Sequence, residues 1–400
     1  MAITATIQGG AVQLTGNPVY IECSGGSAPV NSSEYKIMLK VISQDGKLPG
    51  APFIDAITPD ASGEAIFDIS GYVDQPFPVV FQWPVNGAIN ALPTQAFNIQ
   101  VQVGERYIDS NDLLQETWGA TSEVFQMLKG GLSPRQVATM NDAGFTFYAK
   151  YVQAGKFLTA RPSGDIVHPL QPVKLWFMPD GNNLSTLAMR AYYDDGTDVL
   201  KTTAVFLNTD YLYEFNVNPV TMGHTLEPTG KRMTSFNVWL EYSGSLVSET
   251  RNFQIDWTPC ERPVFLMFAN TFGGVDDVYL SGYIQDKFTT RGNISYRPPQ
   301  VTDTVYTPTL LQLNKTGLNR WSINSGWKSI TQIQYLRDLL VAKQAWYLYT
   351  NITQSTTSII PITDITADEV LVNRKDDTYS IQIDFSEAHE SKHSFDNRSF

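Results

Sequence analysis

The residues with the clearest chemical potential lie near the C-terminus, where His389-Glu390-Ser391-Lys392-His393 matches the pattern HExxH. On a helix, two histidines four residues apart share one face and bind zinc, while the glutamate activates a bound water. This segment directly follows a predicted strand, and its flanks SEA and SFDNRSF lack the apolar face that would seat such a helix. We therefore expect a solvated tail here, and zinc catalysis is the alternative that metal analysis would reveal.

Paired carboxylates are the second candidate for chemistry, because they bind calcium or hydrolyse glycosides when two of them face each other. They occur at Asp194-Asp195, Asp276-Asp277 and Asp376-Asp377. Adjacent residues on a strand point to opposite faces, so a dipeptide alone places no two carboxylates together. We predict that all three pairs occupy hairpin turns and solvated strand edges. The sequence also has no GxSxG elbow, and we expect no catalytic residues, no bound metal, no cofactor and no enzymatic activity.

The chain is rich in aromatic residues, with 8 Trp, 19 Tyr and 21 Phe. Trp176, Tyr192 and Tyr193 are candidates for the partly exposed face of a strand, where they could form a platform for sugars. The alternative is that aromatic side chains suit sheets and interfaces in general. Carbohydrate binding therefore stays open as a second function.

The isolated histidines and cysteines predict little chemistry. His168 and His224 stand in loop-like sequence, where a surface histidine or a hydrogen-bonded one is expected. Cys23 and Cys260 are far apart and form no CxxC pair. We expect two reduced, buried thiols.

Charge and hydropathy limit the partners of this chain. Its net charge is -12, and its 28 basic residues never form a run. A basic footprint for nucleic acid or for an anionic membrane is therefore not expected. The first ten residues, MAITATIQGG, have neither a basic nor an apolar segment of the kind found in secretory signals, so we expect a protein made in a cytoplasm.

Alternating apolar and polar residues predict that strands dominate the fold, each with one buried and one wet face. Such sheets are normally antiparallel. Tight hairpin turns are predicted at Asp45-Gly46, Asn86-Gly87 and Asp195-Gly196. The alternating apolar sets are Tyr35, Ile37, Leu39 and Val41; Phe97, Ile99, Val101 and Val103; Leu187, Met189, Ala191 and Tyr193; Phe236, Val238, Leu240 and Tyr242; and Tyr379, Ile381, Ile383 and Phe385.

Two segments predict helices, because each begins with a capping box. Ser133-Pro134-Arg135-Gln136 opens a short helix that should stop near Gly144. Ser329-Ile330-Thr331-Gln332 opens a longer one that should run to Lys343. The second helix has an apolar stripe that we assign to core packing: Ile333, Leu336, Leu340 and Leu339.

Two Gly- or Pro-containing segments, which are typical of domain boundaries, predict three domains in a mainly β chain. Lys129-Gly130-Gly131 separates the first from the second, and residues 258–263 (TPCERP) end the second. We therefore expect an Ig-like β-sandwich in residues 1–128 and a second β-sandwich with a short N-terminal helix in residues 129–258. Residues 259–400 should form a C-terminal α+β domain with one main helix.

The C-terminal third resembles tail or baseplate structural proteins of phages and prophages of Bacteroidetes. The resemblance lies in residues 262–282 (RPVFLMFANTFGGVDDVYLSG), 320–349 and 360–388. It includes the Gly326-Trp327 pair before the helix and the RKDD run, residues 374–377, that opens the last strand.

A weaker resemblance extends upstream, where GNPVYIEC (residues 16–23), FDISGYV (67–73) and MLKGG (127–131) are similar to the Ig-like part of such proteins. The resemblance implies a non-enzymatic ring, collar, hub or baseplate component of a virion tail, assembled in the host cytoplasm. Its expected partners are copies of itself in a cyclic homo-oligomer and other tail or portal-proximal proteins. The alternative is a carbohydrate-binding Ig-like adhesin for host attachment.

Overall fold

The computed structural model describes residues 4–7, 10–24, 34–74, 88–92, 95–260, 262–296, 310–351, 356–373, 378–389 and 391–392. Strands hold 52% of the residues and helices 10%, so the predicted mainly β class is confirmed. The chain divides into two compact units, one of Met1–Asp256 with Ala269–Asp276 and one of Trp257–Phe268 with Asp277–Phe400. The predicted 128/129 boundary falls inside the first unit, and the three-domain division stays a prediction.

The first part of the first unit folds as two packed sheets. A three-stranded sheet has the order β1-β3-β6, and a six-stranded sheet has the order β2-β10-β8-β4-β5, with β9 also on β8. The strands are β1 Thr4–Ile7, β2 Val12–Leu14, β3 Tyr20–Ser24, β4 Lys36–Ser43, β5 Phe53–Ile57, β6 Glu64–Asp68, β7 Ile89–Leu92, β8 Ala96–Ile108, β9 Leu114–Thr121 and β10 Phe125–Leu128.

One hydrophobic core fills the space between these two sheets. Ile21 and Phe67 enter it from the three-stranded sheet, and Ile37, Phe97 and Ile99 enter it from the six-stranded sheet. The predicted alternation of Tyr35–Val41 and Phe97–Val103 is confirmed, since its apolar members are all buried. Because one face of each sheet is apolar, packing the two faces together removes both from water.

The second part of the first unit repeats this plan around its own core. A six-stranded sheet has the order β11-β18-β16-β13-β14, with β17 also on β16, and a three-stranded sheet has the order β12-β15-β7. The strands are β11 Asp165–Val167, β12 Lys174–Phe177, β13 Asn183–Tyr193, β14 Asp198–Leu207, β15 Leu212–Asn216, β16 Met233–Tyr242, β17 Ser245–Leu246 and β18 Arg251–Ile255.

Strand β7 comes from the first 128 residues of the chain but belongs to the second sandwich. It pairs antiparallel with β15, with Asn90 opposite Glu214 and Ile89 opposite Phe215. Ile89 packs against the second core. The first 128 residues therefore contribute one strand to the second sandwich.

The second unit contains a nine-stranded sheet and one main helix. The strand order is β20-β19-β24-β25-β26-β22-β21, with β23 on β26 and β27 on β22. The described pairs from β24 to β21 along this order are antiparallel. The strands are β19 Val264–Ala269, β20 Val275–Leu280, β21 Ile284–Tyr296, β22 Leu310–Asn324, β23 Lys328–Ser329, β24 Ala345–Asn351, β25 Thr356–Asn373, β26 Thr378–Glu387 and β27 Ser391–Lys392.

Both predicted capping boxes are present. They open α2, Pro134–Asp142, and α3, Ile330–Val341. Two shorter helical segments are α1, Ser70–Val73, and a π-helical turn, Tyr148–Gln153. No helix in the described part of the chain is both long and apolar enough to span a membrane.

The apolar stripe predicted for α3 was partly wrong. The buried residues of α3 are Gln332, Tyr335, Leu336 and Leu339, whereas Ile333 and Leu340 are half-buried. The Tyr335 hydroxyl donates to the Asp277 carbonyl at 3.0 Å, and its ring lies 5.6 Å from that of Phe268. These contacts place Tyr335 on the buried face of the helix. The spacing of the apolar residues alone does not predict that orientation.

Candidate assembly surfaces

The HExxH motif lies partly outside the described residues, since Glu390 and His393 are not among them. His389 is exposed just after β26. Within the described part of the chain, no group of three or more His, Cys, Asp or Glu side chains is placed to hold a metal ion.

The three acidic pairs behave differently from one another. Asp194-Asp195 forms the predicted hairpin turn between β13 and β14. The Thr197 hydroxyl and amide both donate to Asp195 Oδ1 and hold the pKa of that carboxyl below its usual value. Asp376-Asp377 lies outside the described residues.

The prediction of a solvated turn or edge was wrong for Asp276 and Asp277. Both side chains are fully buried on β20, a strand whose six residues are all buried. When a strand is covered on both faces, alternation brings no residue to water. Thr159 Oγ1 donates to Asp276 Oδ2 at 2.8 Å, one of the contacts of this buried carboxylate.

The sugar platform predicted from Trp176, Tyr192 and Tyr193 was wrong for two of its three residues. Trp176 and Tyr193 are buried. The indole N–H of Trp176 donates to the Val275 carbonyl at 2.6 Å, and the Tyr193 hydroxyl donates to the Thr225 carbonyl at 3.0 Å. Only Tyr192 is partly exposed.

A different aromatic surface lies on the outer face of β13 and β16. Trp239 is half-exposed there, with the Arg190 guanidinium 6.0 Å from its ring. The Trp239 indole N–H donates to Glu241 at 3.1 Å. Arg190 also pairs with Asp198 at 3.5 Å, where both side chains are about half exposed. This face combines a flat ring with hydrogen-bonding groups, the composition that sugars require.

Strand β21 lies at one end of the nine-stranded sheet, where it pairs with β22 on one side. Four consecutive residues, Gln285–Phe288, are exposed. Because consecutive side chains point to opposite faces, both faces of the ribbon are open to solvent at this point. Asp286 is held by Arg262 in an ion pair of 2.7 Å.

Three exposed aromatic side chains lie along this strand or next to it. Tyr283, Phe288 and Tyr296 expose 76%, 65% and 64% of their surface. Phe288 lies across Gly317 of the paired strand, so closely that a side chain at that glycine would overlap its ring. The aromatic ring thus covers a glycine in the ribbon and leaves its outer side in water.

An open groove of about 840 Å³ lies on the first sandwich. Tyr20 and Ile66, from the outer face of the three-stranded sheet, form one wall. Val137 and Met140 of α2, with Phe145 after it, line the other.

The isolated histidines and cysteines are buried or half-buried. Burial is the main cause that lowers the pKa of His168 and of His224, and the His168 Nδ1 accepts from the Leu170 amide at 3.1 Å. Cys23 is buried, as predicted, and burial raises the pKa of its thiol to about 12. Cys260 is only half-buried.

Comparisons with known proteins add no assignment. No protein-family model matches the chain, and no curated protein is significantly similar to it. The function is therefore argued from the residues and their arrangement.

The sequence interpretation missed one chemically notable cluster, formed by Lys174, Glu214 and Asn90. The signal that could have revealed it is a single charge inside an apolar run, as in VKLWF and YLYEFNV. Such a charge at a buried strand position needs a partner. The partner could not be identified from the sequence, because the three residues lie on three separate strands.

Proposed function

We propose that this protein is a structural subunit of a phage tail, as a ring, collar, hub or baseplate component, and not an enzyme. It assembles with copies of itself and with neighbouring virion proteins. The observation that carries this proposal is the edge of β21 that pairs with no strand among the described residues, with exposed residues on both faces of its ribbon. The working site is then a surface that pairs with other chains.

An unpaired strand edge presents a row of backbone N–H and C=O groups that readily pair with a strand of another chain. The edge of β21 is 13 residues long, or about 40 Å at the usual rise per residue. Exposed aromatic rings beside it, such as Phe288 and Tyr283, supply the apolar contacts that strengthen such an interface.

The segments that resemble phage tail proteins belong to the same sheet as β21. Residues 262–282, 320–349 and 360–388 supply most of β19, β20, α3, β24, β25 and β26, together with the end of β22. These elements make up most of the nine-stranded sheet and its helix. The resemblance to phage tail proteins and the open edge thus concern one sheet.

Strand pairing between different surfaces of identical subunits is a head-to-tail contact, and such contacts close into rings when the rotation allows. We therefore expect a cyclic homo-oligomer in the virion tail. The other partners are tail or portal-proximal proteins that contact the ring, with no nucleic acid or membrane surface required.

The test is the oligomeric state of the full chain, measured by sedimentation velocity and native mass spectrometry over a range of concentrations. Lys287→Pro and Phe288→Pro are the diagnostic pair. Neighbouring residues of an antiparallel strand direct their N–H groups alternately to the paired strand and to the open edge. Since proline removes the N–H, one variant should lose assembly yet keep its melting temperature, whereas the other disturbs the hairpin.

The matched controls are Lys201→Pro and Thr202→Pro on β14, another outermost strand. They should leave the β21 assembly intact. A wild-type chain that remains monomeric at every concentration, alone and with virion extract, would overturn the proposal. Assembly lost only in the β14 variants would show that the interface lies elsewhere.

Carbohydrate binding is a second candidate, favoured by the half-exposed Trp239 and its polar neighbours Arg190 and Glu241. A sugar ring stacks on an indole while neighbouring polar groups bind its hydroxyls. A glycan array is the direct measurement. Binding that disappears in Trp239→Ala and persists in Tyr242→Ala would support an adhesin, and an empty array at millimolar protein would exclude this face as a sugar site.

A further inference from the structure

An amine, a carboxylate and a primary amide meet inside the first unit. The Lys174 and Glu214 side chains are both 0% exposed, and Asn90 is 9% exposed. The Lys174 ammonium donates to Glu214 Oε1 at 2.6 Å. The Asn90 amide nitrogen donates to the same oxygen at 3.3 Å. One carboxylate oxygen therefore lies between an amino group and a carboxamide.

The sheet fixes this arrangement through the backbone. In the order β12-β15-β7, Glu214 lies on the central strand, opposite Asn90 on one side and Trp176 on the other. Lys174 is two residues from Trp176 and shares its face of the sheet. The intervening residues, such as Leu175 and Phe215, pack into the core on the opposite face.

A stabilising ion pair is a weak explanation for these three residues. Burying two charges costs more than their attraction returns unless every remaining polar atom is also satisfied. Glu214 Oε2 is buried and has no hydrogen-bond partner among the residues that the structure describes. An unsatisfied buried carboxylate oxygen needs an explanation, and a catalytic role is one that fits a neighbouring amine and amide.

We propose that Lys174 and Asn90 become joined by an isopeptide bond, with Glu214 as the acid–base group. Glu214 takes a proton from the Lys174 ammonium, which removes both charges from a dry site. The neutral Nζ attacks Asn90 Cγ, held nearby by the shared hydrogen bonds. The Nζ–Cγ bond forms.

The second half of the reaction breaks the Cγ–Nδ2 bond of Asn90. Glu214 returns its proton to Nδ2, which leaves as ammonia. The attacking nitrogen then loses its second proton to the released ammonia, so ammonium departs and Glu214 ends as a carboxylate. One amide is exchanged for another, and no oxidant or cofactor is needed. Oε2, which has no hydrogen-bond partner among the described residues, gives the carboxyl a second oxygen that can hold the transferred proton.

The bond would fasten β7 to β12 across β15. Asn90 lies before residue 128 and Lys174 after it, so the covalent link fastens the strand that the first 128 residues contribute to the second sandwich. A cross-link between distant residues restricts the unfolded chain and stabilises the fold, as a disulfide does. Unlike a disulfide, this bond survives reducing conditions.

The intact mass of the purified full chain tests the inference directly. We expect a protein lighter than its sequence mass by one molecule of ammonia. Lys174→Arg, Glu214→Gln and Asn90→Ala should each have their full calculated mass, whereas the control Lys201→Arg, at an exposed lysine of β14, should retain the loss. Unmodified wild-type mass after prolonged incubation would overturn the proposal, even if a variant failed to fold.

Tryptic mapping locates the bond. Cleavage after Lys174 should be blocked, and a branched peptide should join residues 48–106 to residues 157–190. Succinimide formation at Asn86-Gly87 would give the same mass loss with no branched peptide. That outcome would also overturn the inference.

Discussion

The two sandwiches of the first unit share one plan but differ on the outer faces of their three-stranded sheets. In the first sandwich, the central strand β3 exposes Tyr20 and Glu22 on that face. In the second, the central strand β15 buries Glu214 at the same place in the plan. Strand pattern alone therefore does not decide whether a carboxylate meets water.

The difference arises from what packs over each sheet. Residues 269–276 of the first unit contact the outer face of β12, where Gly274 lies against the Trp176 indole. On the first sandwich, the corresponding face borders an open groove. A covered face needs matched polar partners, while an open face needs only solvent.

The largest expected effect is a difference in stability between matched substitutions on the central strands β15 and β3. Glu214→Gln should lower the free energy of unfolding by about 3–5 kcal/mol, because it removes the counter-charge of the buried Lys174 ammonium and with it the proposed link to Asn90. The matched variant Glu22→Gln should change it by at most about 0.5 kcal/mol, since that side chain is exposed. Urea denaturation measures both, and similar values for the two would remove the contrast.

The cover over the second sandwich is tested by Gly274→Ala. The added Cβ would overlap the Trp176 indole, and forcing extra atoms into a packed site costs about 1–3 kcal/mol. Gly71→Ala is the control, because a Cβ there meets no atom. If both variants melt at the same temperature, the loop does not pack on Trp176 in solution.

A pH dependence should be specific to the second sandwich, which contains His224. Burial lowers the pKa of this imidazole in the folded chain from 6.5. The unfolded chain therefore binds more protons below about pH 6.5, and stability falls as the pH drops from there, by at most about 1.4 kcal/mol per pH unit for one group.

The control for this dependence is His389→Gln, at an exposed histidine. Denaturation at pH 7 and at pH 5.2 should show a smaller loss in His224→Gln than in the wild type, and an unchanged loss in His389→Gln. His168, whose pKa burial also lowers, retains its own share in both variants. An equal loss in all three proteins would assign the dependence to other groups.

The smallest effect is expected on the open face of the first sandwich. Ile66 is 59% exposed on β6, so Ile66→Thr, which keeps a β-branched side chain, should change stability by less than about 0.5 kcal/mol. A loss above 1 kcal/mol that depends on protein concentration would mean that another copy covers the groove. Chemical denaturation at two protein concentrations distinguishes these results.

Much of the local structure was predictable because it depends on neighbouring residues. Alternation located the strands that carry Ile37, Ile99 and Met189, and the Ser133 and Ser329 capping boxes located both main helices. The predicted turn at Asp195 holds for the same reason, since its hydrogen bonds to Thr197 are local.

What the sequence did not reveal depends on distant packing. Asp276 and Asp277 read as a solvated pair, but their strand is covered on both faces. Trp176 read as a surface aromatic, but residues 269–276 bury it. The cluster of Lys174, Glu214 and Asn90 requires three strands to be placed side by side, and no local pattern encodes that order.

The position of β7 in the chain determines when the second sandwich can be completed during synthesis. Asn90 and Glu214 are 124 positions apart in the chain, so β7 leaves the ribosome well before the strand that it pairs with. The last sheet of the second sandwich cannot close until β15 has been made. A fragment that begins at residue 129 would therefore lack β7, and its three-stranded sheet would be incomplete even if the rest of the fragment folded correctly.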